Sequence, residues 1–159
     1  AFMKGGAFLC AGAILYAIGT RDLEEMKGIG KVLPSIGIPY AIFAFALGGL
    51  PPMVGFVSEL LIVRAGVDVA GWGFVFVVIL IINTVISLGY YIPSINKILF
   101  AKELGSKVKD VKPVPPLMVG AIMLVALITL ILGIYPQLGM EIVKPASEYL
   151  MSLFGGGGV

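Results

Sequence analysis

The sequence predicts an all-α protein, a polytopic transmembrane helical bundle of about four spans, one of them discontinuous and broken by proline. Three observations predict it. The 159 residues are 59% hydrophobic and 13% charged, with a mean hydropathy of +1.08, whereas a soluble domain carries about a quarter charged residues. Too few charges remain to clothe a water-facing surface. The apolar residues fall into blocks along the whole length, which sets aside a targeting peptide. One of those blocks holds Pro51-Pro52 in its middle.

The first block, residues 1–18, is slightly shorter than the roughly 20 apolar residues a crossing helix needs. The chain opens on Ala1 and reaches Lys4 at once, as a helix entered part-way would. The second block, residues 35–66, lies in a stretch that carries no charge from Val32 to Ser58. Pro51 and Pro52 remove backbone donors and clash with the preceding turn. The freed carbonyls must face protein or water rather than lipid. Met53 to Gly66 alone is too short to cross at about 1.5 Å per residue. The block is therefore one span with a break at Pro51, Pro52 and Gly55, or a re-entrant element. The third and fourth blocks, residues 72–95 and 117–135, each fit one helix. Residues 1–136 make up the membrane part. Residues 137–159 are expected to form a short amphipathic segment and a flexible glycine tail. Lys144 to Glu148 opens that segment, with Tyr149, Leu150, Leu153 and Phe154 on one side, suited to the membrane interface or to another helix.

Charge placement favours a single crossing by the second block. The loops 19–33 and 96–116 hold Arg21, Lys27, Lys31, Lys97, Lys102, Lys107, Lys109 and Lys112, eight of the eleven basic residues. A single crossing puts both loops on one side, which the positive-inside rule makes cytoplasmic. A double crossing would separate them. Asp22, Glu24 and Glu25 lie among the basic residues of the first loop, as in a solvated, salt-bridged turn or a surface for a partner subunit.

Two charges inside apolar sequence are the candidates for an ion or proton pathway. Glu59 follows the break and precedes Leu60-Leu61-Ile62-Val63, so its carboxyl sits in the bilayer, in a cavity at the break, or at the outer interface. An apolar wall disfavours carboxyl charge while a nearby cation or water favours it, and a group between them is suited to loading and releasing an ion. Lys4 is a helix-end anchor or an intramembrane charge. Arg64 and Asp68 lie near a helix end and can snorkel to water. In the third block Asn83, Ser87 and Tyr90 share one helical stripe, either as hydrogen-bonding glue between helices or as a hydrophilic lining. No catalytic set is present. With no histidine and a single cysteine, Cys10, no metal site, no cofactor and no disulfide is expected within the chain.

Ala1-Phe2-Met3-Lys4-Gly5-Gly6-Ala7-Phe8-Leu9 resembles the His-Ala-Phe-Phe-Lys-Ala-Leu-Leu-Phe-Leu helix of the antiporter-like ion-pumping subunits, without its leading histidine. The segment from Thr20 to Lys31 resembles the loop that follows it. Leu50-Pro51-Pro52-Met53-Val54-Gly55-Phe56-Val57-Ser58-Glu59 resembles that family's discontinuous helix, and Tyr90-Tyr91 fits the helix after it. Such subunits occur in respiratory complex I, in membrane-bound hydrogenase and related sulfur-reducing complexes, and in multisubunit sodium/proton antiporters. The resemblance covers nearly the whole chain and implies the C-terminal third of such a subunit, the end of the second of two inverted repeats. Lys4 then matches the lysine of a mid-membrane hydrophilic axis, and Glu59 the gating charge of the broken helix. It further implies translocation of H⁺ or Na⁺ within a larger complex, the chain being no enzyme in itself. Redox chemistry and an iron–sulfur arm would belong to other subunits, in an NADH/quinone-, hydrogenase- or sulfur-reductase-like complex. The partners expected are other membrane subunits and the lipid bilayer of a prokaryotic cytoplasmic membrane, with no nucleic acid. The alternative is a structural subunit that anchors a multisubunit enzyme without conducting ions.

Overall fold

The computed structural model describes residues 2–69 and 71–154. Ala1, the Phe154 side chain and the expected glycine tail lie outside the described residues. Among the described residues every regular element is helical. The main helices are α1 (Phe2–Ile18), a single turn α2 (Ile29–Val32), α3 (Pro34–Leu47), α4 (Val54–Asp68), α5 (Trp72–Ile95), α6 (Pro116–Ile134) and α7 (Pro136–Phe154). The last turns of α5 widen to π-helical geometry over Asn96–Phe100.

Small residues let the central helices approach. Gly6, Cys10, Ala13 and Ala17 are buried along α1 at spacings of a helical stripe. Gly6 lies directly against the ring of Phe43 on α3, and Phe43 is fully buried. Ile14, Ile36, Ile122 and Ala126 complete the core, so α1, α3 and α6 share one apolar interior.

α5 runs antiparallel to α3 and α4 together. Gly66 faces Val77, Gly48 faces Leu88, Tyr40 bonds Ser94, and Gly30 and Gly37 face Leu99. From Gly66 through Gly48 and Tyr40 to Gly37, the partner numbers rise along α5 and its π-helical extension as those on the second block fall. A helix returning beside both halves requires those halves to follow one another along the same path.

The two lysine-rich loops are joined at one end of the bundle. The Gly28 N–H donates to Lys97 O at 2.8 Å, the Gly105 N–H to Lys27 O at 2.9 Å and the Lys112 N–H to Ala17 O at 2.9 Å. Lys31 Nζ donates to Ala101 O at 2.7 Å. Glu24 pairs with Lys27 and with Lys97, linking the loops by charge. Lys27 first, then Lys97, draws the Glu24 carboxyl down from 4.5 to about 2.

Two described helices are long and apolar enough to cross a membrane, Trp72–Phe100 and Pro116–Ile134; Phe2–Ile18 and Pro34–Leu47 are shorter apolar helices. The C-terminal helix differs from the short piece expected from Lys144. It starts at Pro136, where proline is preorganised for a first turn, and runs through Pro145 to Phe154. Its residues from Met140 to Leu153 are exposed.

Candidate ion-pathway site at the helix break

The break is built by a defined helix stop. α3 ends at Leu47, and Gly49 has φ +67°, a left-handed conformation that side chains with a Cβ disfavour. The Gly49 N–H donates to Ala46 O and the Leu50 N–H reaches back five residues to Phe45 O at 3.1 Å. These two bonds form a Schellman stop, which satisfies carbonyls that a helix end leaves open. Pro51 and Pro52 follow, and neither can continue a helix. Met53 is extended, and α4 restarts at Val54. Gly55 lies against the Ala46 carbonyl so closely that no Cβ fits between them.

Two helices cover this irregular backbone. Leu88 of α5 rests on Gly48. Gly133, in the last turn of α6, lies against Pro52, Met53 and Val54, where a Cβ would be 2.7 Å from Pro52 O. Pro51 and Pro52 themselves keep an exposed flank.

The Glu59 side chain folds back onto the break. A Cβ on Gly49 would lie 2.7 Å from the Glu59 carboxyl carbon. Glycine at position 49 therefore does two things: it supplies the left-handed stop and it leaves the space the carboxylate occupies. Glu59 is half-buried, and neither it nor Lys4 has an ion-pair partner among the described residues.

Lys4 is exposed on α1. Because Gly6 faces Phe43 in an antiparallel pair, Lys4 stands level with Phe45. The level of Lys4 is thus about 6 Å below Gly49 along the axis, four residues at about 1.5 Å each. The Glu59 carboxylate thus sits at the helix stop and Lys4 at a level below it, and the two form no ion pair.

The expected hydrophilic stripe on α5 is only partly joined. Tyr90 Oη and Ser87 Oγ are 3.5 Å apart, whereas Asn83 is exposed and makes no side-chain hydrogen bond among the described residues. The antiparallel pairing of Gly66 with Val77 puts Asn83 and Thr84 at the level of Glu59. Sequence reasoning passed over Tyr40 and Ser94, whose hydroxyls meet at 2.9 Å between α3 and α5. Their separation of 54 residues leaves no local signal. The Tyr91 ring packs beside that of Tyr90, with centroids 4.4 Å apart and planes tilted by 49°. No group of metal-ligating side chains occurs among the described residues.

Residues 1–87 match the model of the NADH:quinone oxidoreductase/Mrp antiporter transmembrane family. The chain is 32% identical to F(420)H(2) dehydrogenase subunit N of Methanosarcina mazei over 95% of its own length and 32% of that protein's. It is 27% identical to Na(+)/H(+) antiporter subunit A1 of Staphylococcus haemolyticus, over 96% of its length and 20% of that protein's. Respiratory complex I from Thermus thermophilus with bound aureothin contains a chain of the same fold, with a TM-score of 0.63, 23% identity, and coverage of 87% of this chain and 33% of that one. The chain thus spans about a third or less of the relatives it matches. Its first 87 residues, which carry Lys4, the Schellman stop, Pro51-Pro52 and Glu59, place it in a family: the chain belongs to the NADH:quinone oxidoreductase/Mrp antiporter transmembrane proteins.

Proposed function

We propose that the chain is the ion-translocating, antiporter-like part of a respiratory-type membrane complex. It crosses the membrane about four times, with α3 and α4 as one discontinuous span. The lysine-rich loops face the cytoplasm. The antiparallel run of α5 beside both halves, and the fastening of both basic loops at one end, support this arrangement.

The observation that carries the function is the Glu59 carboxylate lodged on Gly49 in the helix stop. A carboxyl in membrane sequence is costly and is retained where it handles charge. Here it meets irregular backbone whose polar groups make a wet cavity tolerable. Lys4 passes a proton through water toward Glu59, and Glu59 exchanges it with the far side. A charge change at one site alters the charge state its neighbour prefers, which is the coupling. The energy comes from redox chemistry in other subunits, including an iron–sulfur arm. The names of the relatives, which include dehydrogenase, quinone oxidoreductase and antiporter subunits, support this setting.

The test is Glu59→Gln in the native membrane assembly, reconstituted into vesicles. Translocation is expected to stop while assembly stays intact. Undiminished translocation would return the chain to the scaffold reading.

A further inference from the structure

The joined loops hold a group of charges that the helix break does not use. A cavity of about 390 Å³ opens between the first loop and the π-helical end of α5, with Lys27, Lys97, Lys102 and Asn96 among its lining residues. Backbone bonds fix its frame. The Gly28 N–H donates to Lys97 O and the Gly105 N–H to Lys27 O, and Lys31 Nζ donates to the carbonyl of Ala101, another wall residue. Glu24 gives one carboxylate oxygen to Lys27 and the other to Lys97. Each ammonium carries three protons, so a single carboxylate positions both lysines and leaves each with protons to donate. Lys102 is exposed and makes no ion pair among the described residues. Glu103 also lines the cavity, yet lysines still outnumber carboxylates around it. π-helical turns recur at functional sites, and here the turn over Asn96–Phe100 brings Asn96, Lys97 and Phe100 into the wall.

We propose that this cavity binds the phosphate headgroup of an anionic phospholipid. The inference rests on the reading that the chain crosses the membrane with both basic loops at one face, and not on the chemistry of Glu59. Its donors select an anion. Ammonium groups form charge-assisted hydrogen bonds to phosphate oxygens, and the Asn96 amide adds a neutral donor. Its place in the fold selects a lipid. Basic pockets between membrane helices at the cytoplasmic side receive acidic headgroups, and this one lies where a membrane-length apolar helix ends, since residues Trp72–Phe100 form one such helix. The wall also continues into apolar surface. Phe100 is 67% exposed, and Ile92, about two turns earlier on the same helix, is 51% exposed. An amphiphile uses both parts of this surface, with its phosphate on the lysines and its hydrocarbon chains along Phe100 and Ile92. A soluble phosphate would use the lysines alone and leave the phenylalanine uncovered. Lysine stems pack on apolar surface while their ammonium groups reach outward, which suits a headgroup seated at the membrane boundary. The bound phosphate would join Lys27 of the first loop to Lys97 and Lys102 beyond α5, reinforcing the link that Glu24 makes.

The experiment uses the native assembly in phosphatidylcholine vesicles that contain a minor fraction of photoreactive lipid. That lipid is either phosphatidylglycerol or phosphatidylcholine, at equal amounts, with a diazirine on its hydrocarbon chain. Illumination attaches it, and peptide mass spectrometry reads the label on residues 92–100 per assembled complex. Phosphatidylglycerol is expected to label this segment well above the phosphatidylcholine background. Lys102→Gln is expected to cut that excess at least about tenfold, the scale of a lost hydrogen bond to a charged group. Lys109→Gln makes the same change of charge outside the cavity and should keep most of the excess. Equal labelling by the two lipids overturns the inference and leaves the membrane placement of this end standing. Equal losses in Lys102→Gln and Lys109→Gln reduce the attraction to diffuse surface charge and overturn it too. Displacement of the phosphatidylglycerol label by millimolar inorganic phosphate, at constant ionic strength, assigns the lysines to a soluble anion and overturns the choice of a lipid. Label from neither lipid means that protein covers this end and removes the inference, while transport in Glu59→Gln judges the proposed function separately.

Discussion

Gly49→Ala isolates what the helix stop does for Glu59. The methyl group would be placed 2.7 Å from the Glu59 carboxyl carbon and 2.8 Å from Oε1, inside ordinary contact distance. Because the obstacle is the end of a flexible side chain, the carboxylate can swing away. The stability cost is then mainly that of holding alanine at φ +67°, about 1–2 kcal/mol for a left-handed residue with a Cβ. For a chain of this size that is a few degrees in thermal midpoint, at about 2–4 °C per kcal/mol. The functional cost is larger, since misplacing a reacting group by about 1 Å can cost about 10²-fold. The expected result is translocation reduced about 10- to 100-fold with a midpoint only a few degrees lower. Gly49→Asn separates the two effects, because asparagine tolerates the left-handed conformation yet still fills the carboxylate's space. It should recover the midpoint and not the transport. Wild-type transport in Gly49→Ala, with Glu59→Gln inactive, would refute the claim that the carboxylate works from its seat on Gly49.

Three further outcomes follow from other contacts. Gly6→Ala should destabilise the bundle by about 1–3 kcal/mol, the usual cost of overpacking, because the fully buried Phe43 ring has no room to retreat; Gly5→Ala, which meets nothing within 4 Å, is the silent control in the same thermal assay. Glu24 is held at about 2 against an ordinary 4.5, so its stabilisation of the joined loops is fully present above the unfolded value and is lost as pH falls from about 4.5 through about 2. Hydrogen exchange at the Gly28 and Gly105 amides should therefore quicken in Glu24→Gln at neutral pH, and the gap to wild type should close as the pH is lowered through that window. Thiol labelling of Lys107→Cys and Asp68→Cys in intact cells should mark opposite faces of the membrane; labelling of both from one face would make α3 and α4 a re-entrant pair.

The parts of the fold legible in sequence are those that depend on one local cause. Proline at positions 51 and 52 removes donors wherever it sits, so the break was readable, although the stop that makes it needs the positive φ of Gly49 and the back-bond from Leu50 to Phe45. Glu59 stood out because its neighbours are apolar; its contact with Gly49 depends on the chain reversing at the break, which composition does not encode. Tyr40 and Ser94 were invisible for a different reason. Each is an ordinary polar residue in its own helix, and only the register between α3 and α5 brings them together. The C-terminal helix begins at Pro136 rather than at Lys144 and runs on through Pro145, since proline is tolerated in a helix where the freed backbone group finds water or another partner, and the turn around Pro145 is exposed.

The break is packed against helices on two flanks and open on another. Leu88 of α5 covers Gly48, and Gly133 of α6 abuts Pro52 to Val54. These contacts leave no space for even a methyl group, so both flanks exclude water by packing. Elsewhere Pro51 and Pro52 are exposed and the half-buried Glu59 lies over Gly49. If α3 and α4 cross the membrane as proposed, irregular backbone there does not persist against lipid, and the open flank is expected to meet protein or water in the assembled protein. Gly133→Trp tests this division. It should disrupt the bundle outright, since it would enter a packed flank. Pro51→Ala alters the open side and should leave the bundle assembled while changing translocation, measured per assembled complex. Equal loss of assembly in both variants would mean that the break is packed alike on every side and that no aqueous flank reaches Glu59.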